Sequence, residues 1–424
     1  MIFRKKPLAY LLTAALLCTA SANAENLAQA WTIALSNNHT IKATQAATES
    51  AQASLDATKA MARPSLSVGA NYMAFSHDLA LEFAGAEANF AERQSFGYQA
   101  AVTMPLYTGG QISYGIDAAK AAVIAATFDQ HSQTQNLKMS VVVAYVGVSR
   151  ASHWVDVAQS HVVSLQAHKD DVERLNQQGL VVRNDLLSVT VTLQEARQRL
   201  IAAQNSLEIA KANYNRLLGR PLDNTVALDK LKEVNVNRSL AELTETGIQN
   251  SSELSSLDKK IEALQLQAKS IKGANLPQLA ITGGYGYQQD KYLTNDSQWM
   301  AGLVVKWNLF DGGATSSKSR AVIKQASALS AQKRELLSMI QLHVKQSWLA
   351  VDEARNRRSV ALSAVDQAQE NLQVVRDRYI NGLISHTEVL DAETLRANSQ
   401  MNLYNSLYDE IIDYYSLQRA TSAL

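Results

Sequence analysis

An internal repeat is the feature that most limits how this chain can fold. The sequence PLYTGG at 105–110 returns as NLFDGG at 308–313, an interval of 203 residues, and the same interval separates Gly179 from Gly382. Each hexapeptide stands between an alternating apolar stretch and a long run of helical character. Two copies of one supersecondary unit therefore account for most of the 424 residues. The glycines that close the two junctions are Gly109, Gly110, Gly312 and Gly313.

The N-terminus has the three parts of a secretory signal peptide. Residues 1–24, MIFRKKPLAYLLTAALLCTASANA, begin with a basic group, continue through an apolar centre and end in the small residues ANA. The chain's one cysteine, Cys18, lies inside this segment. We therefore expect an exported protein that begins at Glu25 and has no disulfide bond and no cysteine-ligated metal.

Composition argues against nucleic acid as a partner and against a helical membrane anchor. The net charge is +1 and 46% of the residues are apolar, whereas a nucleic-acid-binding protein needs a basic face. After the signal peptide, no window has the ~18 uncharged apolar residues that a membrane-spanning helix requires. An exported chain of this kind can therefore enter a membrane only through β-strands.

Four short segments alternate apolar and polar residues, as strands with one wet and one apolar face do. The expected strands are 65–75, 95–106, 278–288 and 297–309. Each is close to the ~9–11 residues of a strand that crosses a bilayer at a tilt. The alternation alone suits a soluble sheet equally well, but the signal peptide and the strand length favour a membrane.

Four strands are too few to close a barrel, because about eight are needed and lipid tolerates no open sheet edge. Insertion into a membrane therefore requires several copies of the chain. Three copies would supply twelve strands.

Two long stretches, 111–177 and 314–380, are expected to be single helices. Apolar residues recur along both at intervals of three and four, and neither contains proline. At about 1.5 Å per residue, each would be a rod of roughly 100 Å, far longer than a globular core needs. Shorter helices are expected near 37–62, 184–218, 250–274 and 386–420, two of them end to end along each rod.

The fold expected from these patterns is mixed and mainly α, with two repeats at 25–218 and 250–424. The segment 219–249 between them mixes short apolar runs with breaks. We expect it to pack with the stretch from Leu27 to Leu35 as a belt midway along the rods.

The order of these features resembles the TolC-like outer-membrane efflux family, the outer membrane factors, over the whole mature chain. The resemblance is carried by the two junctions, by the hairpin tips LNQQGLVVRNDLL and RYINGLISHTEVLDAE, and by the start ENLAQAWTIALSNN. It implies a homotrimer whose twelve-stranded outer-membrane β-barrel continues as a twelve-helix barrel across the periplasm. It also implies a periplasmic adaptor (membrane fusion) protein and an inner-membrane transporter as partners, and no cofactor.

The second tip carries two acidic residues that the resemblance implies at the periplasmic gate. Glu388 and Asp391, at i and i+3, share one helix face. Three copies would form a ring of six carboxylates that attracts cations and repels anions. Both residues also have a structural explanation, because Glu388 fits a capping box with Ser385 and Asp391 suits the first turn of a helix.

Two further residues match family positions in the network that links neighbouring hairpins when the entrance is shut. These are Tyr379 and Asp185, although Tyr379 also fits ordinary heptad packing. Where the family's best-known member has an arginine in this network, this chain has Ile384. Arg183, near the other tip, is a candidate substitute for that arginine.

The tips themselves are the expected adaptor contact. Gly179 and Leu180 at the first tip, with Gly382 and Leu383 at the second, present a small and apolar edge. The resemblance implies that adaptor hairpins dock on such edges. Glycine at these positions also ends helices, and both roles are compatible.

The favoured function is a passive outer-membrane exit duct for small toxic molecules, with energy supplied by a partner pump. The exit channel of a type I protein secretion system uses the same fold and is the near alternative. An exported coiled-coil scaffold or adhesin outside the membrane is the alternative of a different class. No enzyme motif is present, and the acidic stretch with Asp78, Glu82, Glu87 and Glu92 is expected to be a solvated loop on the cell exterior.

Overall fold

The computed structural model describes residues 24–83, 85–231, 234–292 and 294–424. Apart from Ala24, the expected signal peptide lies outside the described residues. The helices are α1 (Leu27–Asn37), α2 (His39–Ala60), α3 (Gln111–Gln177), α4 (Arg183–Leu217), α5 (Leu240–Gln249), α6 (Ser252–Lys272), α7 (Ala314–Ile380) and α8 (His386–Ala420). The strands are β1 (Ser65–Ala74), β2 (Leu79–Phe83), β3 (Ala86–Ala91), β4 (Gln94–Tyr107), β5 (Gln278–Gln288) and β6 (Ser297–Lys306).

The main sheet is antiparallel and joins the two repeats side by side. Its strand order is β1-β4-β5-β6, so β4 has a partner on each side. Val102 of β4, for example, lies opposite Leu66 of β1 and opposite Gly283 of β5. β1 and β6 are the edges of this sheet within the described chain. Large apolar side chains are exposed along both edge strands, among them Leu66, Val68, Tyr72, Trp299, Leu303 and Val305.

Two parts of the strand region differ from the sequence-based expectation. The acidic stretch expected to be a loop contains the hairpin β2–β3, whose turn includes Gly85 at a φ of 82°. Its acidic residues hid the period-two pattern of Leu79, Leu81 and Phe83. The second difference is that β6 ends at Lys306 and not at 309. The other ends of the predicted elements differ by two residues or fewer, which is the usual uncertainty of such boundaries.

The two long helices, α3 and α7, each have 67 residues. Both begin directly after a glycine in the left-handed conformation, Gly110 at φ 85° and Gly313 at φ 83°. A residue with a Cβ would pay roughly 1 kcal/mol or more for this conformation. The strand therefore turns into the helix at a place that favours glycine, which explains why the GG pair occurs in both repeats.

The helices form a wall with a change of partners midway. On the side of the sheet, α3 packs between α2 and α6, and on the far side it packs between α4 and α8. α7 packs against α6 and α8. The short helices of the second repeat therefore lie between the two long rods, and α5 adds a contact to α7. Within the described chain, α3 is the main helical neighbour of both α2 and α4.

The belt midway along the rods contains the largest buried cluster. Leu27, Ala30 and Ala34 of α1 pack against the middle of α3 and against part of the segment between the repeats. The hydroxyl of Tyr145 lies 2.7 Å from the carbonyl oxygen of Glu25 and 2.8 Å from that of Asp229, and its burial raises the pKa of Tyr145 to about 12. None of the described helices combines the length and apolar character needed to cross a bilayer.

Candidate functional site at the helical hairpin tips

Both hairpin tips end their long helix with the same hydrogen-bonded turn. Gly179 and Gly382 have φ values of 75° and 69°. The amide of Leu180 donates to the carbonyl of Leu175 at 3.0 Å, and the amide of Leu383 donates to that of Arg378 at 2.9 Å. This is the Schellman arrangement, which satisfies carbonyl groups left over at a helix end.

The turns leave apolar side chains on the surface. Leu180 and Leu383 are 69% and 67% exposed, and Val182 is also exposed. Their positions are equivalent in the two repeats, so the two tips present similar apolar points. Exposure of leucine side chains to water is unfavourable, and here it recurs at equivalent positions of both tips. These residues are therefore candidates for a contact with another protein.

The two acidic residues of the second tip are both exposed on the first turns of α8. The Glu388 carboxylate accepts a hydrogen bond of 3.4 Å from the amide of Ser385, as a capping glutamate does. Asp391 lies one turn further along. Glu388 therefore helps to begin the helix whatever else it does, and its exposure leaves it available to line an opening.

Tyr379 and Asp185 lie close to each other at the junction of the two hairpins. Tyr379 is buried, its ring meets that of His168 edge-on at 5.2 Å between centroids, and its hydroxyl has no hydrogen-bond partner among the described residues. Burial raises the pKa of Tyr379, and the negative charges of Asp185 and Asp171 add to the effect. In the single chain Tyr379 is thus a packing residue with a polar end that is still unsatisfied.

The partner of Asp185 is a residue that sequence reasoning missed. His386, the first residue of α8, places Nδ1 3.3 Å from Oδ1 of Asp185 on the first turn of α4. The side chains are 11% and 23% exposed. Arg183, the substitute considered above, is exposed and is not the residue that pairs with Asp185. Ile384 packs in the apolar cluster around Tyr379.

A second missed group lies seven residues deeper in α8. Glu393 is fully buried and accepts a hydrogen bond of 2.8 Å from the hydroxyl of Ser164 on α3. It also pairs with Arg376 on α7 and, at 3.5 Å, with Arg396 on α8. One carboxylate therefore ties three helices together. The sequence signal was available, because charged residues interrupt the apolar stripe of α8 at these positions.

Two histidines flank this buried group on α3. His161 and His168 are buried, and their Nε2 atoms have no hydrogen-bond partner among the described residues. Burial lowers the pKa of both imidazoles, for His168 to about 4, with a further contribution from Arg376. His168 is therefore neutral at ordinary pH and adds no charge to the contact between the two hairpins.

The junction glycines differ in their surroundings although their backbones match. A Cβ on Gly109 would lie 2.4 Å from the carbonyl oxygen of Gly273, at the start of the other repeat's strand region, whereas no described atom lies within 4 Å of one on Gly312 or Gly313. A Cβ on Gly110 would meet the ring of Tyr114 at 2.9 Å. The first junction is thus packed within the chain, and the second is open.

The acidic residues at the far end of the sheet are partly neutralised. Lys291 Nζ lies 3.8 Å from Asp78 and 3.6 Å from Glu92. These two ion pairs join the β2–β3 region to the β5–β6 connection. In the described part of the chain, no three His, Cys, Asp or Glu side chains are grouped so as to hold a metal ion.

A short antiparallel sheet continued by two very long helical hairpins defines a class of protein, the protomer of an outer-membrane channel. The chain belongs to the outer membrane efflux protein family, whose profile matches residues 31–220 and 243–423. The match in two segments agrees with the internal repeat, and it confirms the resemblance drawn from the sequence. The family is one of channel proteins and not of enzymes.

Individual relatives are distant in sequence and close in fold. The outer membrane protein TolC of Escherichia coli is 22% identical over 95% of this chain and 83% of TolC. The alkaline protease secretion protein AprF of Pseudomonas aeruginosa is 23% identical over 68% of this chain, and the match spans only 61% of AprF. The CmeC outer membrane channel of Campylobacter jejuni superposes with a TM-score of 0.81 at 16% identity, over 94% of this chain and 86% of CmeC.

Proposed function

We propose that this chain is the protomer of a trimeric outer-membrane exit duct in a tripartite efflux system. The duct would passively conduct small toxic molecules from an inner-membrane pump across the periplasm and the outer membrane. The observation that carries the proposal is a four-stranded sheet with two unpaired edges and exposed apolar side chains, set on helices of 67 residues.

The sheet supports the membrane part of this proposal. Exposed side chains such as Trp299 and Leu303 are costly in water and suited to lipid. Unpaired edges at β1 and β6 cannot remain open in lipid, because each unsatisfied backbone group there costs several kcal/mol. Three copies, joined edge to edge, would close twelve strands and remove every edge.

The helices support the periplasmic part. At about 1.5 Å per residue, 67 residues extend for roughly 100 Å away from the membrane. A helix of that length is suited to spanning the periplasm. The exposed Leu180 and Leu383 at its far end are then the proposed contact with hairpins of an adaptor protein.

The gate is proposed at the same end. Three copies would bring six carboxylates, from Glu388 and Asp391, around the opening and favour cations in the pore. Tyr379 and Asp185 are proposed to hold the closed state, with His386 in place of the family arginine. The junction glycines at the other end allow the turn from strand to helix.

Planar-bilayer recording together with the mass of the detergent-extracted protein tests the proposal. We expect a trimer that gives stepwise ionic conductance. A monomer that stays in aqueous buffer without detergent would refute the duct and favour the exported scaffold or adhesin. Migration on an unheated gel gives an independent measure, because barrels that resist detergent run differently before and after heating.

A protein secretion duct is the second candidate, and the likeness to AprF favours it. Deletion of the gene distinguishes the two. Loss of resistance to small toxic compounds with unchanged secreted protein supports efflux, whereas loss of a secreted protein with unchanged resistance supports secretion.

A further inference from the structure

Two histidines lie in the seam between the two helical hairpins, where α3 and α4 meet α7 and α8. His161 and His168 are 6% and 3% exposed and share the buried stripe of α3 with Leu165 and Val172. These four residues follow one another at intervals of 4, 3 and 4, which is the spacing of a coiled-coil contact. Both imidazoles therefore occupy positions that packing alone would fill with apolar side chains.

The second repeat has no ionisable residue at the equivalent positions. The interval of 203 residues relates α3 to α7 and gives Ala364 and Asn371 as the counterparts of His161 and His168. Neither counterpart is among the buried residues. The two histidines are thus specific to the contact that the first hairpin makes with the second.

Neither imidazole is fully satisfied in its neutral form. The Nε2 atoms of both are buried and have no hydrogen-bond partner among the described residues. The ring of His168 meets that of Tyr379 at 5.2 Å between centroids, and the Tyr379 hydroxyl lacks a partner as well. Buried polar groups without partners destabilise a fold. Histidine therefore costs stability in the closed seam, which points to a role that leucine could not fill.

Charged and titratable side chains face the two imidazoles from every helix of the seam. They are Asp171 on α3, Arg199 on α4, Arg376 on α7, and His386, Glu393 and Arg396 on α8. Glu393 is the one fully buried carboxylate of this set, and it is already paired with two guanidinium groups. A proton added to either imidazole would therefore find no free counter-charge in the buried part of the seam.

The carboxylates nearer the tip are also engaged. Asp171 pairs with Arg174 on the same helix. Asp185, which lies near Tyr379, is in contact with His386 at 3.3 Å. An imidazolium at His168 would thus be a surplus cation close to Arg376.

Burial makes the neutral imidazole the stable form in the closed seam. It lowers the pKa of both histidines, and at His168, where the charge of Arg376 adds to the effect, the pKa falls to about 4. An imidazole in water titrates at about 6.5. As the pH falls below about 6.5, an arrangement that lets water reach His168 therefore gains a proton that the closed seam cannot hold, and this advantage grows until about pH 4.

We propose that His161 and His168 form a proton-sensitive release for the closed duct, so that protonation of their Nε2 atoms separates the two helical hairpins at the tip and acid opens the entrance. Each Nε2 takes one proton from water, and the imidazolium regains its hydration only when α8 moves away from α3. This inference rests on the proposed function and names what biases the gate.

The size of the effect follows from the two titration points of His168. With a pKa of about 4 in the closed seam and about 6.5 in water, the equilibrium shifts toward the open form by about thirtyfold per chain between about pH 7.5 and about pH 5. Protonation of His161 adds to the shift in the same direction, because burial lowers its pKa as well.

Distances between spin labels on the two tips measure the separation directly. The chain's only cysteine lies in the expected signal peptide, so L180C/L383C supplies one labelling site on each exposed tip leucine. Labelled chains diluted with unlabelled chains report the distance within one chain. We expect a short distance at about pH 7.5 and a growing population of longer distances below about pH 6.5. In H161Q/H168Q, whose new side chains are neutral at every pH, the distribution should stay the same.

The matched control is H343Q, because His343 is an exposed histidine on α7. Labelled H343Q should respond to acid as the parent does. The carboxylates of the seam and the gate all remain in H161Q/H168Q, so an undiminished response there would assign the effect to them and overturn the proposal. The same tip distance in the parent at both pH values would overturn it too. If the double variant fails to fold, H168Q alone carries the test and should lose most of the response.

Planar-bilayer recording of the same proteins separates this proposal from the duct itself. The open probability of the parent should rise on the order of tenfold or more between about pH 7.5 and about pH 5, and that of H161Q/H168Q should change little. Tips that separate in acid in a protein that never conducts would overturn the duct and leave the release intact. Channels whose open probability is the same at both pH values, with tips that stay closed, would overturn the release and leave the duct intact.

Discussion

Neutralising Glu393 should loosen the seam between the two hairpins over several helical turns. The carboxylate is fully buried, and in the variant E393Q the guanidinium of Arg396, whose side chain is only 8% exposed, loses its counter-charge. Arg376 is 36% exposed and can reach water, so it contributes less to the cost. Removal of one partner from a buried pair typically costs about 3–5 kcal/mol, and the partial exposure of Arg376 places this case near 3 kcal/mol.

Hydrogen–deuterium exchange of the detergent-extracted protein measures this effect without the need for reversible unfolding. A cost of about 3 kcal/mol for local opening corresponds to roughly a hundredfold loss of protection. The loss should appear in peptides of α8 around Glu393 and of α3 around Ser164, because the carboxylate joins these helices. Peptides from the belt should exchange as in the unmodified protein.

The variant E208Q is the matched control. Glu208 is exposed and pairs with Lys211 at 2.8 Å on the same helix, so its loss should cost at most about 0.5 kcal/mol. The double variant E393Q/R396Q removes the carboxylate and the buried guanidinium and leaves only the partly exposed Arg376, so it should recover much of the protection. Equal protection in E393Q and E208Q would refute the view that the buried carboxylate holds the hairpins together.

Three further predictions concern the tip and the first junction. Neutralising Glu388 and Asp391 together (E388Q/D391N) should abolish the cation preference of single channels, and an unchanged reversal potential in a salt gradient would remove them from the pore lining. The variant H386A removes the contact of His386 with Asp185 and should raise the open probability of single channels, whereas an unchanged open probability would contradict a role of this pair in closure. G109A should lower the free energy of unfolding by about 2–4 kcal/mol, because alanine is strained in the left-handed conformation and its Cβ would approach the Gly273 carbonyl oxygen closely. The temperature at which the trimer dissociates should fall accordingly, and an unchanged midpoint would show that the junction relaxes.

The rods and the main strands could be predicted because their periodicities are long and uninterrupted. The pattern of α3 continues for 67 residues, and the two junctions mark where strand becomes helix in each repeat. The resemblance then assigned the family, which the two-segment match confirmed. The short hairpin β2–β3 was missed because its acidic residues suggested a solvated loop. In the structure the two segments pair through their backbones.

The chemistry of the tips was less accessible to sequence reasoning. Asp185 and His386 are 201 positions apart, and nothing local indicates that they meet. Their contact depends on how two hairpins pack, which is a tertiary property. Glu393 could have been found, since a charge inside an apolar stripe requires a partner. Its partners, however, come from α3, α7 and α8, and only the fold brings them together.

The seam between the hairpins weakens toward the tip, and this gradient indicates where an opening motion would stop. At the belt, the interior is a large apolar cluster that includes Tyr145 and Tyr214. At the tip it is a small cluster around Tyr379, and the pair of His386 with Asp185 is partly open to water. Between them lies the buried Glu393, about 10 Å above His386 along α8. Separating the helices at the tip breaks one partly exposed pair and exposes little apolar area. Separating them at Glu393 would leave buried charged groups without their partners, which costs far more. We therefore expect the tips to swing on a hinge that lies between His386 and Glu393. Neutralising Glu393 should move that hinge toward the belt.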